Sequence, residues 1–234
     1  MAFNYEKCKV MHLGRISDNF NYHMDGHPLD KIEEEKDLGV VVTKDLKFER
    51  QCEAASKKAL KMLGIINRNV EYKSKDVIKK LYLAYVRPHL EYCVQAWSPH
   101  LQKDIECLEK VQHKATKMVN GLGELEYKER LKALNLFSLK YRRLRGDLIE
   151  LFKIIRGLDK ISLDDALVFQ NRHRGHQYNL FKIRSRTQKR QAMFTQRVID
   201  HWNKLSKEVV ESPSVNTFKN RLDKFYKNSG LWFE

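Results

Sequence analysis

The stretch at residues 74–98, SKDVIKKLYLAYVRPHLEYCVQAWS, constrains the fold most, because apolar and aromatic side chains recur through it at helical spacing. Its predicted buried face comprises Val77, Leu81, Tyr85, Tyr92 and Ala96. Ser74 is suited to cap this helix, and Pro88 deprives the Ala84 carbonyl of its hydrogen-bond donor, so we expect a kink or break there. A helix this rich in aromatic residues has to be wrapped by neighbouring elements, and the sequence therefore predicts a mainly α fold around it.

The composition indicates a basic protein with a hydrophobic core of its own. Apolar residues make up 42% of the 234, which excludes a disordered chain, and the formal net charge of +15 points to a polyanionic partner, most often nucleic acid. The four cysteines have no zinc spacing, so we expect reduced thiols and a location in the nucleus or cytoplasm. Because no membrane-spanning run and no secretory signal are found, neither a membrane partner nor secretion is expected.

Residues 1–45 have the pattern of short strands and predict a small β piece. Residues 7–13 are strand-like, and Asp25-Gly26 is a strong signal for the turn of a hairpin. Residues 33–36 are charged and suggest an exposed tip, whereas the β-branched run at 38–42 predicts a buried strand. Because so few strands do not make an independent sheet, we expect this piece to be only marginally folded.

Residues 46–165 have helical periodicity and predict a helical bundle. One apolar stripe runs from Cys52 to Ile66 and another from Leu101 to Met118. The lysines on the opposite face of the second helix are Lys103, Lys110, Lys114 and Lys117. That row is either a solvated surface or a rail for a nucleic-acid backbone, and the acids close to it in sequence leave both interpretations open.

Residues 166–199 contain no acid and carry basic and aromatic side chains in the mixture that phosphate contact and base stacking require. The candidate phosphate-binding residues are Arg172, Arg174, Lys182, Arg184, Arg186, Lys189 and Arg190. The candidate stacking residues are Tyr178 and Phe181. The alternative is a basic loop packed against acids elsewhere in the chain. With the two short helices predicted after it, this run forms a basic C-terminal region at residues 166–234.

No catalytic motif is found in the sequence. Two-metal phosphoryl transfer needs clustered carboxylates, and the only adjacent aspartates, Asp164 and Asp165, follow a helix with no strand before them. We interpret them as surface or cap residues. Because phosphate loops, nucleophile elbows and HExxH motifs are absent as well, the residues alone predict neither a catalytic site nor a bound cofactor.

Four segments stand in an order that a known family shares. They are YEKCKVMHLG at residues 5–14, DLGVVVTKDLKF at 37–48, LYLAYVRPHLEYCVQAW at 81–97, and FTQRVIDHWNKL with PSVNTFKNRLDKFY near the C-terminus. They resemble parts of the reverse transcriptases of non-LTR (LINE-type, jockey-like) retrotransposons. In that family the first follows the catalytic aspartates, the second is the primer grip, the third follows the palm, and the last belongs to the C-terminal region.

The resemblance implies the end of a polymerase palm at residues 1–45, a thumb at 46–165 and a basic C-terminal region at 166–234. The residues it makes primer-grip-like are Leu38, Gly39 and Val40. It also implies RNA or DNA, as a primer-template duplex, for a partner. In the family the catalytic aspartates that hold Mg²⁺ lie upstream of the matched segments. We therefore expect this chain alone to need no cofactor and to be inactive as an RNA-directed DNA polymerase.

Two alternatives remain open at this stage. In the first, the chain is part of an active reverse transcriptase whose palm and fingers segment is supplied separately. In the second, it is a helical protein-interaction module whose basic surface is incidental. An aromatic-Ala-Asp-Asp segment encoded directly upstream would favour the first, and salt-independent association with a protein partner would favour the second.

Overall fold

The computed structural model describes residues 4–13, 20–161, 167–170, 176–227 and 231–233. It is mainly helical with a few short strands, which confirms the prediction of a mainly α chain. None of the helices in these ranges is long and apolar enough to cross a lipid bilayer.

Six of the described strands precede the first long helix, and two lie between the helix that ends at Ile155 and the helix that begins at Gln188. The helices are α1 (Glu49–Asn69), α2 (Lys75–Leu81), α3 (Arg87–Glu91), α4 (Val94–Trp97), α5 (Gln102–Lys117), α6 (Tyr127–Leu134), α7 (Leu139–Ile155), α8 (Gln188–Ala192), α9 (Phe194–Arg197), α10 (Ile199–Asn203), α11 (Lys207–Val210) and α12 (Val215–Lys227). The strands are β1 (Lys9–Val10), β2 (His23–Met24), β3 (His27–Pro28), β4 (Asp30–Lys31), β5 (Glu34–Asp37), β6 (Val40–Thr43), β7 (Val168–Phe169) and β8 (Leu180–Phe181). They pair two by two, β1 with β4 in parallel, and β2 with β3, β5 with β6 and β7 with β8 antiparallel.

Helices α1 and α5 pack against each other along the stripes that the sequence predicted. Cys52, Ala59 and Leu63 are buried on α1, and Leu108 and Val111 are buried on α5. Small side chains on α1 let the backbones of α1 and α5 approach closely. The central helical stretch packs against this pair.

The central stretch buries a different face from the predicted one. Its buried side chains are Ile78, Tyr82, Val86, Leu90 and Val94, whereas Val77, Tyr85 and Tyr92 are exposed. In an α-helix a step of four residues overshoots one turn by about 40°. A π-helical segment, Tyr82–Val86, lies immediately before Pro88, and its wider turn absorbs that overshoot. The predicted interruption is therefore confirmed, and it keeps Ile78, Tyr82, Val86 and Leu90 on one face; Val94 follows a second break at Cys93, whose φ is 54°.

The N-terminal hairpins correct two predictions. The Asp25-Gly26 turn is confirmed, since both residues have positive φ between β2 and β3. The charged residues at 33–36 were predicted to be an exposed tip, but 34–36 belong to β5. The run at 38–42 was predicted to be a buried strand, but it begins with a turn. Leu38 and Gly39 have φ of 44° and 87° and join β5 to β6. The Leu38 side chain is 84% exposed, and Val40 is the first residue after the turn to reach the core.

The core consists of two hydrophobic clusters that share α7. The first extends from Val40 to Leu139 and the second from Tyr141 to Tyr226. The C-terminal turn, Leu231–Phe233, docks between the two clusters. It is held there by a bond of 2.8 Å from the Ser138 N–H to the Trp232 carbonyl. Residues of the basic C-terminal region thus pack onto α7 instead of forming a core of their own.

We expect the β5–β6 hairpin to exchange its amide protons faster than helices α1 and α5. Few of its side chains are buried, and its anchors are the Val40 side chain, the bond from the Val41 N–H to Gln51 Oε1 and the bond from the Tyr92 hydroxyl to the Leu38 carbonyl. Protection of the amides in β6 should be about 100-fold lower than in α5, because regions with few buried contacts open locally. Hydrogen exchange measures this, and protection equal to that of α5 would contradict it.

Candidate nucleic-acid interface

The lysine row on α5 divides into one paired residue and three unpaired ones. The Lys103 ammonium lies 2.6 Å from Glu49 Oε1 on α1. The hydrogen bond from this lysine lowers the pKa of the Glu49 carboxyl, and the pKa of Lys103 is raised in turn. Lys110, Lys114 and Lys117 are exposed and have no ion-pair partner among the described residues. Their spacing of four and three places them on one helix face, so the row presents three available cations.

A groove runs beside this face, between α1 and α5. It has a volume of about 510 Å³, and Lys114 and Lys117 lie in its wall opposite Leu60 and Asn67. Gly64 contributes no side chain to it. Lys114 and Lys117 thus line an open groove between α1 and α5.

The basic C-terminal residues are mostly exposed. Arg184, Arg186 and Lys189 have no ion-pair partner within the described ranges, and the Arg190 guanidinium lies 3.5 Å from the Met193 sulfur. Lys182 is bound to Asp200 on α10. Arg172 and Arg174 lie outside the described residues, as do Asp164 and Asp165. The available cations of this region therefore cluster at residues 184–190.

One arginine of the acid-free run has a structural role. Arg197 binds Asp147 through two bonds, from Nε to Oδ2 at 2.8 Å and from Nη2 to Oδ1 at 2.9 Å. It also donates to the carbonyls of Val94 and Gln95, both at 3.1 Å. Packing against acids elsewhere, the alternative interpretation of this run, thus holds for Arg197 and Lys182.

The two candidate stacking residues differ in accessibility. Tyr178 is half-buried against the second cluster, and its hydroxyl accepts a bond from Arg156 at 3.2 Å. Phe181, on β8, is 47% exposed. Phe181 therefore offers the larger accessible ring, beside Lys182 and close in sequence to Arg184.

The primer-grip-like residues lie at the tip of the β5–β6 hairpin. The Leu38 carbonyl accepts a bond of 2.9 Å from the Tyr92 hydroxyl, which holds the turn against the central helical stretch. A side chain added at Gly39 would meet the Tyr92 ring at 3.5 Å in a backbone conformation that disfavours it. The tip thus exposes Leu38 to solvent and buries Val40 beneath it.

A cleft lies where the start of α5 meets α8. It has a volume of about 420 Å³ and lies between the start of α5, at Leu101 and Gln102, and α8, at Gln188 and Gln191. The one cation among the described residues that line it is Arg197. None of its lining residues is acidic. The sequence did not predict this juxtaposition, because the two walls lie more than 80 residues apart.

Beneath the lysine row lies a buried hydrogen-bond network that sequence reasoning also missed. The Tyr82 hydroxyl donates to Gln112, whose Nε2 donates to the Tyr127 hydroxyl and to the Phe137 carbonyl, both at 2.9 Å. Tyr127 in turn donates to Glu109. Burial raises the pKa of the Glu109 carboxyl and of the Tyr127 hydroxyl. The signal available in the sequence was a glutamine and a glutamate interrupting an apolar stripe.

Within the described ranges, no group of three or more His, Cys, Asp or Glu side chains is placed to hold a metal ion. Comparisons with protein-family models, with curated proteins and with solved structures give no match for this chain.

Proposed function

We propose that this chain binds RNA or DNA through the phosphate backbone, without sequence preference. The observation that carries the proposal is the presence of two groups of exposed cations that have no ion-pair partner among the described residues, one on α5 and the other at residues 184–189. One group is Lys110, Lys114 and Lys117, and the other is Arg184, Arg186 and Lys189. Exposed lysines and arginines without internal partners are the groups that replace counterions on a nucleic acid.

The retroelement resemblance supports a primer-template duplex as the partner and the nucleus or cytoplasm as the location. In this proposal the chain is a thumb and C-terminal fragment that grips the duplex and does no polymerisation alone. Backbone contacts position a protein on a duplex but do not read its sequence, so affinities for unrelated sequences should agree. The exposed tip at Leu38 would face the primer end, and Phe181 would stack on an unpaired base.

A salt titration tests the proposal. If the six exposed cations each meet a phosphate, the logarithm of affinity for a duplex should fall against the logarithm of salt with a slope of about −5. Replacing Lys110, Lys114 and Lys117 together by glutamine should flatten that slope by roughly two to three units. The triple change of Arg184, Arg186 and Lys189 should do the same.

A charge-matched control separates local contact from net charge. Lys204, Lys224 and Lys227 are exposed and have no ion-pair partner among the described residues, and their triple change to glutamine removes the same charge. We expect the control to alter the slope by less than one unit. Equal effects of test and control variants would refute the proposed interface, and an unchanged slope in both test variants would favour the protein-interaction alternative.

A further inference from the structure

A further cavity, of about 860 Å³, opens between α5, α6 and the C-terminal turn. That volume lies within the range of small-molecule sites. Its walls include Ile105, His113, Tyr127 and Phe233. His113, Tyr127 and Phe233 carry aromatic rings, so the cavity has aromatic surface that a planar ligand could contact.

The rings are held in place by neighbouring side chains, and the Arg130 guanidinium lies 5.6 Å from the centroid of the Tyr127 ring. The Tyr127 ring stacks on His113, with centroids 3.4 Å apart, and its hydroxyl belongs to the buried network. The Lys132 ammonium lies 5.7 Å from the centroid of the Phe233 ring. A binding site with preformed walls loses less conformational freedom when a ligand enters.

The cavity is lined by four lysines and three glutamates. Lys110, Lys114 and Lys128 line it and have no ion-pair partner within the described ranges. Among the carboxylates, Glu106 accepts from Gln102 at 3.0 Å and Glu126 caps the start of α6. Glu109, the third, accepts from Tyr127 and from the Leu139 N–H through Oε1, and its buried Oε2 has no hydrogen-bond partner among the described residues. The groups that could meet a ligand are therefore the ammonium groups of these three lysines and the Phe233 ring.

We propose that this cavity binds a nucleoside 5′-phosphate, with the base against Phe233 and the phosphate at Lys110, Lys114 and Lys128. The ligand is either a free mononucleotide or the terminal nucleotide of a strand, since both present the same ring and phosphate. This goes beyond the proposed backbone binding, because Phe233 and Lys128 do not belong to that interface, although Lys110 and Lys114 belong to both.

Calorimetric titration of the full chain with AMP, adenosine and inorganic phosphate tests the site. We expect AMP to bind at least tenfold more tightly than either part. Lys128→Gln should weaken AMP binding about tenfold, equivalent to 1.4 kcal/mol. Phe233→Leu, which keeps the apolar volume and removes the ring, should weaken it at least about fivefold. Lys58→Gln, an exposed change on α1, is the matched control and should have no effect.

Two further arms identify the source of the ligand. A short oligonucleotide carrying a 5′-phosphate is compared with the same strand lacking it. Preference for AMP over the phosphorylated strand assigns the site to a free nucleotide, and the reverse preference assigns it to a strand end; both support the proposal. Binding of AMP no tighter than that of phosphate, or unchanged by Lys128→Gln and Phe233→Leu, overturns it. Because Phe233→Leu removes no charge, the salt slope of duplex binding should be unaffected by it, so the two proposals fail separately.

Discussion

Replacing Arg197 by methionine is expected to lower the free energy of unfolding by about 3–5 kcal/mol. The change leaves the Asp147 carboxylate, whose side chain is 4% exposed, without its partner in the second cluster. Burial already raises the pKa of that carboxyl despite the arginine beside it. The carbonyls of Val94 and Gln95 lose a donor as well. Urea denaturation at neutral pH measures the loss.

The matched control is Lys182→Met, which breaks the pair with Asp200. Both side chains of that pair are well exposed, at 39% and 58%, so its loss should cost no more than about 1 kcal/mol. A double variant, Arg197→Met with Asp147→Leu, should recover part of the lost stability because it removes the unpaired buried charge. Equal effects of Arg197→Met and Lys182→Met would show that the buried pair contributes no more than an exposed one.

Arg197→Met also separates the two roles of the acid-free run. At a temperature where the variant is folded, its slope of affinity against salt should match that of the parent chain, because this guanidinium is committed to internal partners. The change of Arg184, Arg186 and Lys189 should do the reverse. It should flatten the slope and leave the unfolding free energy within about 0.5 kcal/mol, as exposed substitutions usually do.

The sequence predicted the helices well where one apolar stripe dominates. The faces of α1 and α5 follow directly from the spacing of residues such as Cys52 and Leu108. The central stretch has two competing apolar faces, one through Tyr85 and one through Tyr82. Choosing between them requires the π-helical segment, whose position depends on packing around Pro88. The turn at Leu38 was missed because a leucine with positive φ is rare.

Only part of the candidate interface could be predicted from the sequence, because its other contacts depend on packing between elements far apart in the chain. Periodicity alone places Lys110, Lys114 and Lys117 on one helix face. The partner of Lys103 is Glu49, which lies 54 residues away, and that pairing depends on how α1 meets α5. The α5–α8 cleft depends likewise on the docking of the C-terminal region, which no local pattern encodes.

Trp97→Ala is expected to cost about 3–5 kcal/mol, the usual effect of truncating a fully buried tryptophan. Trp97 is completely buried in the first cluster, and its indole N–H donates to the Tyr92 carbonyl at 2.6 Å. Trp202 is its counterpart in the second cluster, where its indole N–H donates to the Tyr178 carbonyl at 2.8 Å. Trp202→Ala should therefore cost a similar amount.

Trp97→Ala also shows whether the two clusters unfold together. Trp97→Ala in a Trp232→Phe background leaves Trp202 as the fluorescent reporter of the second cluster, since the chain has three tryptophans. Its transition should coincide with the loss of helical circular dichroism at a denaturant midpoint lowered by Trp97→Ala. The physical reason is that α7 supplies side chains to both clusters and Arg197 ties α9 to α4, so neither cluster can open without exposing part of the other. A Trp202 transition that stays at the midpoint of the Trp232→Phe parent would show instead that the basic C-terminal region and α7 form a separately folding unit.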